Sequence, residues 1–235
     1  MCFENSTVSR GSRDIIYTQC WSVSCSKKVM SEDNDEMNLE RKKRIIEMSN
    51  KIVTHFSDVR HVSVEDFLVM MKDKKKNLIV VDTRKNEERS ISMIENAISV
   101  QEFEKRVDKL EIRQCDVICY CTIGYRSSMY ARERSLIDTR NRYFNLHGSI
   151  LAYTHSNGKL IDPRTGQETK RVHTFGPKWK CAEISYEQVI FERPFIAGAS
   201  WYLKDFARKW DASWLLIIGG AVVVAAIFSF VRSSR

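Results

Sequence analysis

Apolar residues recur along this chain with two periods, which alternate from one segment to the next. Ile45, Met48, Ile52 and Phe56 fall at steps of three and four residues, the stripe of a helix face that packs on something larger. That stripe predicts a helix over 37–56. Val62-Ser63-Val64 then offers a short strand, and 64–74 a helix with Phe67, Leu68 and Met71 turned inward. Asn77-Leu78-Ile79-Val80-Val81-Asp82 is a continuous apolar run ending in an acid, as a strand covered on both faces requires. Further strands are expected at 97–100, 117–120 and 143–146, with helices at 102–113, 127–136 and 149–155. Strand alternating with helix gives an α/β fold, a mostly parallel sheet with helices on both faces.

The two ends of the chain break this pattern. Residues 1–36 show no apolar periodicity and finish in the acidic run Ser31-Glu32-Asp33-Asn34-Asp35-Glu36, so they are read as a mobile segment. Arg10, Arg13, Lys27 and Lys28 give it a trace of presequence character, which Glu4 and Asp14 weaken. No continuous apolar stretch follows the start, so it is not a secretory signal. The α/β domain is expected over 57–160, with the 37–56 helix packed on it. Residues 161–192 form an extension, with a turn at Asp162-Pro163-Arg164-Thr165-Gly166 and a short strand within 171–176. Trp179 and Tyr186 are expected to dock it. A linker at 193–213 leads to 214–231, which carries no charge and only Ser229 and two glycines among apolar residues. At the helical rise this run spans ~27 Å, close to the hydrocarbon core of a bilayer. It therefore predicts one C-terminal transmembrane helix, with Trp201, Trp210 and Trp214 as its interfacial belt.

Composition narrows the classes. The 235 residues are 29% charged and 43% hydrophobic, with a formal charge of +8. The densest basic run, Arg41-Lys42-Lys43-Arg44, is flanked by acids and reads as a solvated helix face, not a nucleic-acid groove. Seven cysteines are an odd number. Cys115, Cys119 and Cys121 lack the paired spacing of a zinc site, so no metal and no cofactor is expected.

The candidate chemistry lies at Cys121-Thr122-Ile123-Gly124-Tyr125-Arg126-Ser127-Ser128. A cysteine here follows a buried strand and precedes a helix whose first turn a serine can cap. Gly124 lets the backbone turn tightly. Successive amides in such a turn form an anion-binding nest, and the helix dipole adds positive potential. Those conditions lower a thiol's pKa and make it a nucleophile. Arg126 supplies a planar fork of donors for an anion.

This loop resembles the active-site loop of the rhodanese (sulfurtransferase) family, Cys-x-x-Gly-x-Arg-Ser. The related phosphatases place five residues between cysteine and arginine. Here there are four, Thr122 to Tyr125, a smaller ring that suits a sulfur atom carried on the cysteine better than a phosphate. Asp82-Thr83-Arg84 extends the resemblance, since rhodaneses carry Asp-x-Arg at this strand end. Asp82 is then placed to orient loop amides or an arginine, the alternative being a cap on the next turn. Where the family shows His-Ile-Pro-Gly-Ala, this chain has Met93-Ile94-Glu95-Asn96-Ala97 and keeps only Ile94 and Ala97. The resemblance covers about 57–160. His173 and Cys181 are read as structural.

The resemblance implies sulfur transfer by double displacement through a persulfide on Cys121. Amides from Thr122 to Ser127 would stabilise the sulfur anion. Arg126, read with Cys121 as catalytic, would bind or orient the anionic donor, with Ser127 or Ser128 adding a hydrogen bond and Asp82 and Arg84 supporting the loop. The expected partners are a small anionic donor (thiosulfate-like or a persulfide) and a thiol acceptor, with a protein acceptor left open. The alternative is a membrane-tethered interaction module with little turnover. Insertion through 214–231 would leave the domain in the cytosol. The short, basic-flanked tail favours the mitochondrial outer membrane, with the endoplasmic reticulum as the alternative.

Overall fold

The computed structural model describes residues 14–73, 77–109 and 111–194. Helix α1 (Asp14–His55) is followed by β1 (Arg60–Val62), α2 (Val64–Lys72), β2 (Leu78–Asp82) and α3 (Asn86–Arg89). Then come β3 (Met93–Ile94), β4 (Ile98–Ser99), α4 (Val100–Asp108), β5 (Asp116–Tyr120) and α5 (Tyr125–Ile137). The chain continues through β6 (Arg142–Leu146), α6 (Ser149–Thr154), β7 (Leu160–Ile161), β8 (Arg171–His173), a 3-10 turn at Pro177–Trp179, and β9 (Glu187–Val189).

Five strands make the central sheet, in the order β1-β6-β5-β2-β4, and every pairing in it is parallel. The apolar runs of β2 and β5 are unbroken because both faces are covered. Val80, Ile118 and Tyr120 point into one core layer with Phe67 of α2 and Ile150 and Leu151 of α6. Val81, Val117 and Cys119 point into the other, with Phe103 and Val107 of α4 and Met129 and Ala131 of α5. Neighbouring strand residues thus serve opposite layers. Two small pairs sit outside the sheet, β3 with β7 antiparallel and β8 with β9 parallel.

Helix α1 starts at Asp14, so the acidic run assigned above to a mobile 1–36 segment is helical from that residue on. Helix-forming Met, Glu, Lys and Arg residues suffice to carry a helix through a polar stretch without an apolar stripe to announce it. Ile45 in its C-terminal half and Phe56 just past its end are buried, and Met48 and Ile52 pack partly against the body. The same helix grips the extension. Asn38 bonds Glu183 and the Ile184 amide (both 2.9 Å), and Arg41 and Arg44 donate to the carbonyls of Ala182 (2.7 Å) and Lys178 (3.1 Å).

Two further helix starts differ from expectation. Helix α4 begins at Val100, because Ser99 accepts the Glu102 amide at 3.1 Å and caps it there. Helix α5 has Gly124, not a serine, at its N-cap, and Ser127 and Ser128 lie buried in its first turn. Among the described residues no helix is long and apolar enough to cross a membrane. The 214–231 run and the linker beyond Pro194 lie outside the described residues, as do residues 1–13.

Candidate active site

Strand β5 delivers Cys121 to the carboxyl edge of the sheet, where open parallel sheets bind ligands. The loop that follows is tied down from outside. The Ile150 and Leu151 amides of α6 bond the carbonyls of Cys121 and Thr122 (both 3.3 Å), and the Cys121 amide donates to Ser149 Oγ at 3.1 Å. With those carbonyls engaged by α6, amides face the sulfur. Gly124 N donates to Cys121 Sγ at 3.2 Å. Gly124 takes φ 121 to do so, and a Cβ there would sit 3.3 Å from Asn145 Nδ2. No L-residue adopts that backbone cheaply.

Burial alone would push the Cys121 thiol up. The charge of Arg126, the Ser127 hydroxyl and the Ser127 and Gly124 amides outweigh it, and the thiol titrates below its ordinary value. Cys119, two residues earlier and facing a core layer, goes the other way because burial dominates. Ser127 Oγ lies 2.6 Å from Asn145 Oδ1 and 3.2 Å from the Gly124 carbonyl. It has one proton to give, so donation to a thiolate comes at the expense of those acceptors. Asn145 is held in turn by His61 at 3.1 Å.

Arg126 does not present an open fork. Glu88, to which no sequence motif points, fills it. Arg126 Nη1 donates to Glu88 Oε2 at 2.6 Å, and Nη2 to Oε1 at 2.7 Å and to Thr122 Oγ1 at 2.9 Å. Burial opposes the Glu88 carboxylate. The charge and hydrogen bonds of Arg126, the Arg84 charge and the Lys85 amide overcome it and hold its pKa at about 2. Arg126 therefore acts on the cysteine from a fixed position through its charge.

Asp82 and Arg84 serve each other. Arg84 Nη2 meets Asp82 Oδ2 at 2.7 Å and the Ser92 carbonyl at 2.6 Å, and Tyr120 OH donates to Asp82 Oδ2 at 2.6 Å. This buried pair braces the ends of β2 and β5 against the turn into β3, and no hydrogen bond joins either residue to Cys121 among the described contacts. Tyr120 OH also accepts the Ile94 amide at 3.1 Å. In the Met93–Ala97 turn Asn96 takes φ 61, a left-handed conformation that Asn tolerates. Ile123 is buried in the core layer that holds Phe67, and Tyr125 packs edge-on to Phe56 at 5.2 Å between ring centres. Ser128 Oγ has no hydrogen-bond partner among the described residues.

Cys121 is only 1% exposed, yet it lies on the lining of a pocket of about 260 Å³. Met48 and Ile52 of α1 form one wall, and Phe175, Lys178 and Trp179 of the extension form another. Phe175 adopts φ 68 and its ring lies 5.2 Å from the Arg126 guanidinium carbon. A bulky residue in the left-handed region is costly and calls for a reason. Here the Phe175 amide donates to His173 Nδ1 at 3.0 Å, which helps to hold the turn. Burial, with the nearby Arg84 and Arg126 charges, lowers the His173 pKa against the pull of Glu88 and Glu87, so the ring is kept neutral and able to accept. His173 thus shapes the wall and bonds no part of the cysteine loop. Cys181 is buried and takes part in packing.

The Rhodanese-like domain family model matches residues 63–156. No curated protein matches the chain. Solved structures similar to it include a thiosulfate sulfurtransferase from Pseudomonas aeruginosa, at 19% identity and TM-score 0.43, covering 53% of this chain and 23% of that one. The chain thus spans less than a quarter of that enzyme. A Bacillus halodurans protein shares 21% identity at TM-score 0.37, over 47% of this chain and 84% of that one. A Saccharomyces cerevisiae homolog of single-domain rhodanese and the Cdc25 phosphatase catalytic domain shares 14% at TM-score 0.35, over 46% and 90%. The similarity to the Rhodanese-like domain family thus falls at residues 63–156, within the α/β body that carries the parallel five-stranded sheet.

Proposed function

We propose that the protein is a sulfurtransferase that moves a sulfane sulfur from an anionic donor to a thiol acceptor through a persulfide on Cys121. The observation that carries this reading is the Gly124 amide aimed at Cys121 Sγ on the lining of an open pocket. The thiolate attacks the outer sulfur of the donor; the new bond is Cys121 Sγ–S, and the donor's own bond to that sulfur breaks, its electrons leaving with the donor. An acceptor thiolate then takes the sulfur and Cys121 returns as a thiolate. Amides of Gly124 and Ser127 bear the negative charge on the outer sulfur. Arg126 contributes its charge from the Glu88 pair, a positioning role in place of direct donor binding.

Membrane anchoring belongs to the same proposal. The uncharged run 214–231 anchors the domain at a bilayer, with the catalytic domain on the cytosolic side and the mitochondrial outer membrane favoured over the endoplasmic reticulum. A fluorescent fusion of the last 35 residues tests the address, and a diffuse signal removes the anchor from the reading.

The test of the chemistry is mass spectrometry of the full chain after thiosulfate or a low-molecular-weight persulfide. One added sulfur atom on Cys121, absent from Cys121→Ser, is the expected result. An unmodified Cys121 under both donors leaves the interaction module as the better account.

A further inference from the structure

Facing the cysteine loop, which gives Thr122, Ile123, Tyr125 and Arg126 to the lining, the pocket over Cys121 has two walls from outside residues 63–156. Met48 and Ile52 belong to α1, and Phe175 and Trp179 to the segment after β8. Those two segments are also bonded to each other, through Arg44 to the Lys178 carbonyl at 3.1 Å and Arg41 to the Ala182 carbonyl at 2.7 Å. The wall is therefore built, not left by chance between loops. Its aromatic side is fixed as well: Phe175 meets Trp179 edge-on at 5.6 Å and Phe191 at 5.3 Å.

Size and polarity say what fits. A dry cavity of about 150 Å³ accepts a benzene ring, and this pocket measures about 260 Å³. It has room for a six-membered ring and a small anionic head together. A fully inorganic donor such as thiosulfate would leave Met48, Ile52, Phe175 and Trp179 facing water. Lys178, and Lys51 with its charge shared by Glu47 at 2.7 Å, also line the pocket and are exposed, so they attract an anion without closing the apolar wall. With the Arg126 fork occupied by Glu88, selectivity falls to the walls.

We infer that the pocket selects a sulfur donor with an apolar, ring-sized organic body, of the thiosulfonate class R–SO2–S⁻, over inorganic thiosulfate, and that Phe175 and Trp179 carry that selection. The donor part of this inference rests on the sulfur-transfer reading. The step balances: Cys121 thiolate bonds to the terminal sulfur, the SO2–S bond breaks, R–SO2⁻ leaves with the bonding pair, and the Cys121 persulfide anion remains.

Two measurements on the full chain test it. In the first, unreactive benzenesulfonate and inorganic sulfate are titrated onto Cys121→Ser. Benzenesulfonate is expected to bind more tightly by about tenfold, a discounted return on burying one ring. Equal affinities overturn the inference. The preference should shrink severalfold in Trp179→Ala and in Phe175→Gly, the second of which suits the φ 68 backbone at that position. A preference that survives both substitutions in folded protein overturns the assignment to these residues.

In the second, sulfur loading of Cys121 by benzenethiosulfonate and by thiosulfate is compared in the wild type. Faster loading by benzenethiosulfonate supports the inference, and equal or faster loading by thiosulfate counts against it. If neither donor loads sulfur, the sulfur-transfer reading fails by itself, and the benzenesulfonate titration still decides what the pocket holds.

Discussion

Glu88 and Arg126 meet in a buried two-point pair, with Nη1 to Oε2 at 2.6 Å and Nη2 to Oε1 at 2.7 Å. The pair makes Arg126 a fixed charge beside Cys121 and sets a negative charge close behind it. Replacing Glu88 by Gln removes the negative charge and weakens two charge-assisted bonds. The Cys121 thiol should then titrate lower than in the wild type, because Arg126 acts on it without opposition. Stability should drop by about 3 kcal/mol, the usual cost of breaking a buried pair from one side. Alkylation of Cys121 as a function of pH, with a thermal melt, reads both. A thiol that does not move would show that the Glu88–Arg126 pair does not govern its ionisation.

The same carboxylate sets an acid limit. Its folded pKa is about 2, below the ordinary range for glutamate, so its contribution to stability is fully present above that ordinary range. It is lost as the pH falls toward 2. Asp138, which burial alone would raise, is held low by hydrogen bonds from Tyr143, Asn141 and Arg140, and it adds in the same direction. Wild-type melting temperature should therefore fall as the pH drops below about 4. In Glu88→Gln the fall should be shallower, with Asp138 and Glu183 among the depressed carboxylates that remain. Parallel acid slopes in the two proteins would contradict the assignment.

Cys121 and Cys119 are two residues apart on chemically opposite terms. Amides, Ser127 and the Arg126 charge bring the first down, and burial raises the second. Under limiting iodoacetamide near neutral pH, Cys121 should be modified first and Cys119 should stay intact. Its rate should decline as the pH is lowered through the depressed thiol pKa, since only the thiolate reacts. Cys121→Ser should lose sulfur loading entirely with little change in melting temperature, because Cys121 adds little volume to either core layer. Residual loading in that variant points to another sulfur.

The cysteine loop is legible in the sequence because its parts are contiguous. An apolar strand, Cys121, Gly124 and Arg126 follow one another, and each residue type limits the backbone or the charge there. The alternation of strands with helices is legible for a similar reason, since β2 and β5 must serve two core layers at once. Glu88 is hidden. It lies in Asn86–Arg89, whose polar residues have the look of a solvated turn, and its partner is 38 positions away. The pocket wall is hidden too, because Phe175 and Trp179 gain their meaning only from the docking of the extension on α1. Arg84 misleads in the opposite sense: its place beside Asp82 suggests reach toward the cysteine, while three-dimensional proximity gives it to Asp82 and the Ser92 carbonyl.

Gly124 concentrates the local demands of the site in one residue. It is the N-cap of α5, its amide donates to Cys121 Sγ, and its φ is 121. Alanine there meets two obstacles. The backbone conformation disfavours any Cβ at a cost of about 1–3 kcal/mol. The added methyl also comes within 3.3 Å of Asn145 Nδ2, a buried group bonded to His61, so the neighbour has little freedom to retreat. If the loop relaxes to spare that strain, the amide swings off the sulfur and the thiol pKa climbs back toward its ordinary value. Gly124→Ala should therefore lower the melting temperature and slow Cys121 alkylation near neutral pH more than it slows alkylation at high pH. Loss of stability with an unchanged pH profile would separate the two roles and leave Gly124 as a packing residue only.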